Sequence, residues 1–431
     1  MIAPRHQYSV GVVQLFLQTV FGCAASQRAA AAVMGLFANW LPGVCETPCA
    51  NTGRLWLLRS GLYELIRPKE EAEDWAWIMD HTLQLGTQKC LVIVGVRLSV
   101  WKQNRRPLQH SDLALLNLTP MEQATGDRVY DALSKTVPQT GVPRLVLCDG
   151  GGELERGMEL LRCDHPQVDR VYDVKHKLAL MLKKELEADE QWSTFLEKVA
   201  CARRAITQTD LAFLLPPVVK NKARYMNLDT LVKWGCGVLG YLKRPRIHPQ
   251  ASIDCAKLKE KLGWLTSYRR KLGEWSELLG LAATTEDSIR RHGYHRHACR
   301  QLSARLAGRA TSAAAKRMRA AILDFVAEQS AAARTPSERL LGHSEVLESL
   351  IGKYKRLQST HSKGGMTAML LSMGAIVGQK TQDVIHTALA TVSCRAVTKW
   401  CHDNLGVTLQ AQRLSALPGN KTRMQNALSP A

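Results

Sequence analysis

Hydrophobic and polar positions along the chain change their period twice, and each change marks a boundary. Over the first 70 residues apolar positions recur at helical spacing. Ser26 stands as an N-cap before a helix over Arg28–Phe37. Thr47 followed by Pro48 marks the start of a second helix over Cys49–Leu65. The link Leu41-Pro42-Gly43-Val44 gives this pair the form of a helix-turn-helix, a pattern that an ordinary helical hairpin shares. From Trp75 the period shortens. Apolar and β-branched runs at Trp75–His81, Lys89–Trp101 and Leu113–Leu118, separated by turn residues, predict a three-stranded meander. A helix over Met121–Ser134 follows, then a strand over Arg144–Cys148 that ends in Asp149 and Gly150-Gly-Gly152. After a connection, a strand over Val168–Tyr172 leads through Asp173 and His176 into a helix over Lys177–Ala188.

From Asp189 to about Thr335 nearly everything is compatible with helix, and a further helix is expected over Ser344–Leu357, with helical sequence to Leu405. A crossover between parallel strands needs only about a dozen residues, so the stretch 189–335 is a domain inserted into the strand-bearing one. The expected division is a helical region over 1–70, an α/β core over 71–188 that resumes over 336–405, a helical insertion over 189–335, and a tail over 406–431. Three early strands, a helix, a strand, a connection, another strand and a helix is the element order of a ribonuclease-H-like domain, in which strands one, four and five run parallel.

Composition narrows the partners. With 431 residues and 45% hydrophobic content, the chain can bury a large core. Lys plus Arg number 58 against 38 Asp plus Glu, a net charge of +20, which favours a polyanion through phosphate neutralisation and counterion release. Charge alone does not choose among DNA, RNA and an anionic membrane. The membrane is disfavoured because the nearest apolar run, Val10–Ala25, is broken by Gln14, Gln18, Thr19 and Gly22 and lacks a signal-peptide cleavage pattern. The expectation is a soluble, cytoplasmic protein that makes no membrane contact. Twelve scattered cysteines suit reduced thiols rather than a disulfide framework. The basic excess is concentrated: Tyr241–Leu340 holds 20 Lys plus Arg against 9 Asp plus Glu.

Chemistry enters with the acids. Asp80 follows the apolar run Trp75-Ala-Trp-Ile-Met79, and Asp149 follows Leu145-Val-Leu-Cys148. A carboxylate inside strand sequence is costly to bury unless it is paired or binds a metal, so two strands each ending in an acid suggest one site. A third acid, Glu348, borders a helical stripe of Leu347, Leu350, Ile351 and Tyr354. Lys355 returns to nearly the same face seven residues later, and Gly352 between them leaves room for close approach. Glu345 shares that face and competes for the role. Near the start of the second N-terminal helix, Asn51, Thr52 and Arg54 stand where a helix-turn-helix meets base edges.

With these residues the chain resembles the DDE transposases of bacterial insertion sequences, over about residues 1 to 400. The resemblance implies a first Asp on strand one (Asp80), a second just after strand four (Asp149) and a Glu on a helix beyond any insertion (Glu348). It also implies a DNA-contacting Lys, matched by Lys355, and an Asp-x-x-His after strand five, matched by Asp173-Val-Lys-His176. Ser344 stands where related families place Arg. Transfer of phosphoryl groups between DNA strands uses two divalent ions about 3.5 to 4 Å apart, and hard oxygen ligands favour Mg²⁺, with Mn²⁺ as a substitute. By the resemblance Asp80 bridges both ions, while Asp149 and Glu348 each hold one. The implied partners are double-stranded DNA, as terminal inverted repeats and as target, and a second copy of the chain when two ends are brought together.

Other patterns have plainer readings. Gly150-Gly-Gly152 lacks the Gly-Lys-Ser/Thr ending of a nucleotide loop and reads as a turn that keeps space open beside Asp149. His292-Gly-Tyr-His-Arg-His-Ala-Cys299 fits no four-ligand zinc spacing and reads as a basic, DNA-facing segment. His297-Ala-Cys-Arg300 with Tyr354 admits a covalent tyrosine recombinase, which the strand-rich middle opposes, and a non-catalytic DNA-binding regulator is the third class. Trp234, Trp264 and Trp275 could stack on an unpaired base, but the helical spacing of Trp234, Val238 and Tyr241 favours core packing.

Overall fold

The computed structural model describes residues 1–40, 46–104, 106–218, 228–244, 254–359, 365–407 and 409–417. It divides into two compact units, one made of Met1–Arg170 with Ser344–Ala431 and one of Val171–His343.

The first unit is built on the sheet that the alternation predicts. β1 (Trp75–Leu85) and β2 (Gln88–Arg97) form an antiparallel hairpin whose turn uses Gly86 at φ +60°, where a side chain would be strained. β3 (Ala114–Met121) pairs antiparallel with β2, and β4 (Leu145–Cys148) pairs parallel with β1. With β5 (Asp169–Tyr172), which carries the junction between the units, the strand order is β3-β2-β1-β4-β5. The mixed α/β class is therefore as expected. β2 is buried from Cys90 to Val96 because both sheet faces are covered, which explains its continuous apolar sequence.

Helices α1 (Val10–Gly22), α2 (Gln27–Trp40) and α3 (Ala50–Ile66) precede the sheet. Ser26 caps α2 as predicted, its hydroxyl accepting the Ala29 N–H at 3.1 Å. The link Leu41-Pro42-Gly43-Val44 lies outside the described residues. α3 begins later than Thr47 and Pro48 suggested. Cys49 is still extended (φ −74°, ψ 157°) and its Sγ accepts the Thr52 N–H at 3.4 Å, so Cys49 is the cap. β2 likewise stops at Arg97 rather than Trp101, because Asp74 takes the chain into α4 (Leu98–Gln103): its carbonyl accepts the Leu98 N–H and its carboxylate the Ser99 N–H, both at 2.9 Å.

One sheet face packs on α5 (Gly126–Thr140) and α6 (Gly152–Asp164) through Trp75, Trp77, Met79, Leu91, Ile93, Val146 and Cys148. Thr125 caps α5 and starts it five residues after the expected Met121. The expected connection contains α6, whose Leu154, Met158 and Leu161 are buried at helical spacing. A register shift opposite Ile93 and Val94 turns Asn117 toward α5, where its amide donates to the Ala132 carbonyl at 3.1 Å and to Thr136 Oγ1 at 3.2 Å.

After residue 343 the unit resumes with α14 (Glu345–Ser359), α15 (Ser372–Val377), α16 (Gln382–Thr391), α17 (Cys394–Asn404) and α18 (Leu409–Ala416). α3 and α15 cross at a pair of glycines. A Cβ on Gly61 would lie 1.8 Å from the Leu371 carbonyl oxygen, and one on Gly374 would lie 2.4 Å from the Gly61 carbonyl oxygen. This backbone approach locks α3 to the C-terminal helices.

The second unit is helical: α7 (Val174–Glu187), α8 (Glu190–Ile206), α9 (Asp229–Lys243), α10 (Cys255–Leu262), α11 (Arg269–His292), α12 (Ala298–Arg305) and α13 (Ala313–Ser330). Its two ends meet, with the Val174 N–H donating to the Gly342 carbonyl at 3.0 Å. Trp275 is buried against Trp192 (ring centroids 4.7 Å) and Phe195 (5.0 Å), and its indole N–H donates to Asp189 at 3.1 Å. Trp234 donates to the Leu214 carbonyl at 2.8 Å, and Trp264 packs on Phe195 and Tyr268. Trp275 is a core residue, whereas Trp234 and Trp264 are half-buried at its edge. Among the described residues no helix is long and apolar enough to cross a membrane.

Candidate active site

Strand register fixes the relation of the two aspartates. In the parallel pair of β1 and β4, Ile78 stands opposite Leu147, and Asp80 and Asp149 each follow two residues later. The two acids therefore stand at one level, Asp149 just past the end of β4 but Asp80 inside β1, which runs on to Leu85 rather than ending in the acid as expected. Side chains alternate along a strand, so Asp80 belongs to the face of Ala76 and Ile78, opposite the tryptophan-rich core. Both aspartates are half-buried. Asp149 Oδ1 accepts the Gly151 N–H at 3.1 Å, and a Cβ on Gly151 would approach that oxygen to 3.2 Å. Gly152 meets nothing within 4 Å. None of these glycines has a positive φ, and Gly151 is the one whose missing side chain leaves the Asp149 carboxylate uncrowded.

α14 packs against β1. Its Leu347, Leu350, Ile351 and Tyr354 are buried, as the stripe predicts, and the Tyr354 phenol lies beside Cys90, which pairs with Thr82 on the Asp80 face. The helix thus covers the face that carries Asp80. Glu348 is half-buried on the border of the stripe, whereas Glu345 is exposed. The Ser344 carbonyl accepts the N–H groups of Leu347 (2.8 Å) and Glu348 (3.1 Å), so Ser344 serves here as a helix start. Lys355 is exposed on the solvent side, and a Cβ on Gly352 would meet nothing within 4 Å.

The structure brings Asp80 and Asp149 level and sets α14 over their face, but it does not close a ligand cage. Among the described residues no three His, Cys, Asp or Glu side chains are grouped to hold one ion. The donor set itself, half-buried carboxylates on two strands and a helix, fits a hard divalent cation.

Asp173 and His176 belong to the second unit. Asp173 is buried and caps α7, its Oδ1 accepting the His176 backbone N–H at 2.9 Å. Asn51 and Arg54 are exposed on the first turns of α3, and Thr52 places its hydroxyl 3.2 Å from Cys49 Sγ. Tyr354 is fully buried, and burial pushes its phenol well above the ordinary value. It cannot present a nucleophile to a DNA strand. In the second unit, the Cys299 thiol donates to the Leu323 carbonyl at 3.5 Å.

Sequence reading missed the charged groups around Asp149. Glu153, in the first turn of α6, pairs with Lys89 on β2 and lies 3.7 Å from His81 Nδ1. Burial and the Lys89 ammonium hold His81 below its ordinary value, while the Glu153 and Asp149 carboxylates oppose them. Hydrogen bonding to Lys89 holds Glu153 below the usual carboxylate range. The position of Glu153, four residues after Asp149, would have been a signal had α6 been foreseen. No family model and no curated protein matches the chain.

Proposed function

We propose that the protein is a DNA transposase with a ribonuclease-H-like core, cleaving and joining DNA strands at Asp80, Asp149 and Glu348. The observation that carries this reading is the placement of Asp80 and Asp149 at one level on neighbouring parallel strands, under a helix that bears Glu348. The strand order β3-β2-β1-β4-β5 supports that reading, with the helical unit entered from β5 as an insertion.

The three carboxylates would hold Mg²⁺, or Mn²⁺ in its place. Bound there, the metal supplies charge neutralisation at the scissile phosphate and activation of the attacking oxygen. The carboxylates orient the phosphodiester. A water oxygen bonds to phosphorus as the P–O3′ bond breaks, leaving a 5′-phosphate and a free 3′-OH; that 3′ oxygen then bonds to a target phosphorus while the target's own 3′ oxygen leaves and takes up the proton. Lys355 holds a backbone phosphate on the open side of α14, beside Gly352. Asn51, Thr52 and Arg54 face the terminal repeat in the helix-turn-helix reading of the N-terminal region. Joining two ends calls for at least two copies of the chain on DNA, in the cytoplasm at the nucleoid.

The test is cleavage of duplex DNA that carries the sequences flanking the gene, with Mg²⁺. Asp80→Asn and Asp149→Asn should each abolish cleavage while leaving DNA binding within a few-fold of wild type. Cleavage that persists in both variants, or a covalent protein–DNA adduct, would contradict the assignment. Absence of metal-dependent nicking in the wild type would favour a DNA-binding regulator.

A further inference from the structure

In the second unit, four chain segments bring cations to one surface. α11 ends in Arg290, Arg291 and His292, and Gly293 (φ +67°) closes the helix. The segment that follows, with His295, Arg296 and His297, is pinned by a bridge in which Tyr294 and Leu340 exchange N–H···O bonds of 2.9 and 2.8 Å. That bridge fixes Arg339 beside it, and α12 contributes Arg305 at its last turn. Arg305, Arg339, Arg296 and His297 are exposed. Burial, then Arg305, Arg339 and Arg291, hold His292 below its ordinary value; burial, then Arg339 and the neighbouring histidines, do the same for His295. The arginines of this surface therefore act on His292 and His295 and disfavour their protonated forms.

Compensating carboxylates are scarce. Asp287 faces His292 but is already paired with Arg290 and Arg291. Among the described residues no carboxylate pairs with Arg305 or Arg339. A backbone bridge that holds Arg339 beside the His295–His297 segment, with Asp287 taken up by Arg290 and Arg291, is a prepared anion site.

We propose that this surface binds the phosphate backbone of duplex DNA, with Arg305 and Arg339 as its principal phosphate contacts and His292 and His295 between them. The proposal rests on the DNA reading above and gives the second unit a part in it, as a sequence-independent grip on the duplex. Arginine suits this because its planar fork matches phosphate oxygens in pairs.

The experiment measures affinity of the full chain for a random-sequence duplex against salt concentration. Each phosphate neutralised contributes about 0.9 to the slope of log K against log[salt]. Arg305→Gln with Arg339→Gln should therefore lower that slope by about 1.8 and weaken binding about ten-fold or more near 0.1 M salt. Arg317→Gln, which removes a cation already paired with Glu185, should leave the slope unchanged. An unchanged slope in the double variant overturns the proposal, as does an effect seen with anionic phospholipid vesicles or duplex RNA but not with DNA. The catalytic reading fails separately: cleavage surviving Asp80→Asn with the slope effect intact refutes the active site alone.

Discussion

Replacing Gly61 with alanine tests how the N-terminal helices are tied to the sheet-bearing unit. The new Cβ would sit 1.8 Å from the Leu371 carbonyl oxygen and 3.3 Å from the Leu371 Cβ, and ordinary contact begins near 3.4 Å. The obstacle is backbone, so α3 and the segment leading into α15 must part by about 1.5 Å. Overpacking of this kind costs about 1–3 kcal/mol and sometimes more. Exchanging glycine for alanine inside a helix returns about 1 kcal/mol. The net loss is about 1 kcal/mol, up to about 2, which lowers the melting temperature of a unit this size by about 2–8 °C. Gly352→Ala in α14 is the matched control, because its Cβ meets nothing within 4 Å. There only the helix preference acts, and the unit should gain about 0.5–1 kcal/mol. Differential scanning calorimetry reads both. The double variant Gly61→Ala with Gly374→Ala should lose less than the sum of the singles, since the helices need part only once. A Gly61→Ala protein that melts at or above wild type would refute the close crossing.

Two further perturbations follow from electrostatics. Glu277 is held down to about 2, against the opposing push of burial, by N–H and hydroxyl groups of Ser312 and Thr311 at the start of α13. Its folded value lies below the unfolded one of 4.5, so its stabilisation is complete above that pH and is lost as pH falls toward 2. Glu277→Gln should lower stability at neutral pH and flatten the acid limb of a urea-unfolding series between those values. At the site, Glu153→Gln removes a carboxylate that favours protonated His81 while Lys89 remains, so the His81 titration followed by NMR should move to lower pH; an upward shift would contradict the arrangement.

The parts of the fold that could be read in the sequence were those where local pattern and tertiary burial agree. β4 ends just before Asp149 as its apolar run suggested, whereas β1 runs on past Asp80 to Leu85, and the buried stripe of α14 separates half-buried Glu348 from exposed Glu345. Reading failed where a side chain overrides the local pattern. Asp74 bends the apolar run after Arg97 into a helix, and Cys49 displaces Thr47 as the cap of α3. α6 was hidden because it opens on glycine, although Leu154, Met158 and Leu161 carry the helical period. The groups around Asp149 were invisible for a different reason: Lys89, His81 and Glu153 come from three elements and meet only through the sheet register.

The central claim is most directly tested by comparing Glu348→Gln with Glu345→Gln in Mg²⁺-dependent nicking of a plasmid carrying the DNA that flanks the gene. Glu348 stands on the edge of α14 that borders the Asp80 face, whereas Glu345 is exposed to solvent. Glu348→Gln should lose nicking by about 10²–10³-fold, as removal of a group acting on the transition state does, while Glu345→Gln stays within a few-fold of wild type. Full activity in Glu348→Gln, or loss confined to Glu345→Gln, would contradict it.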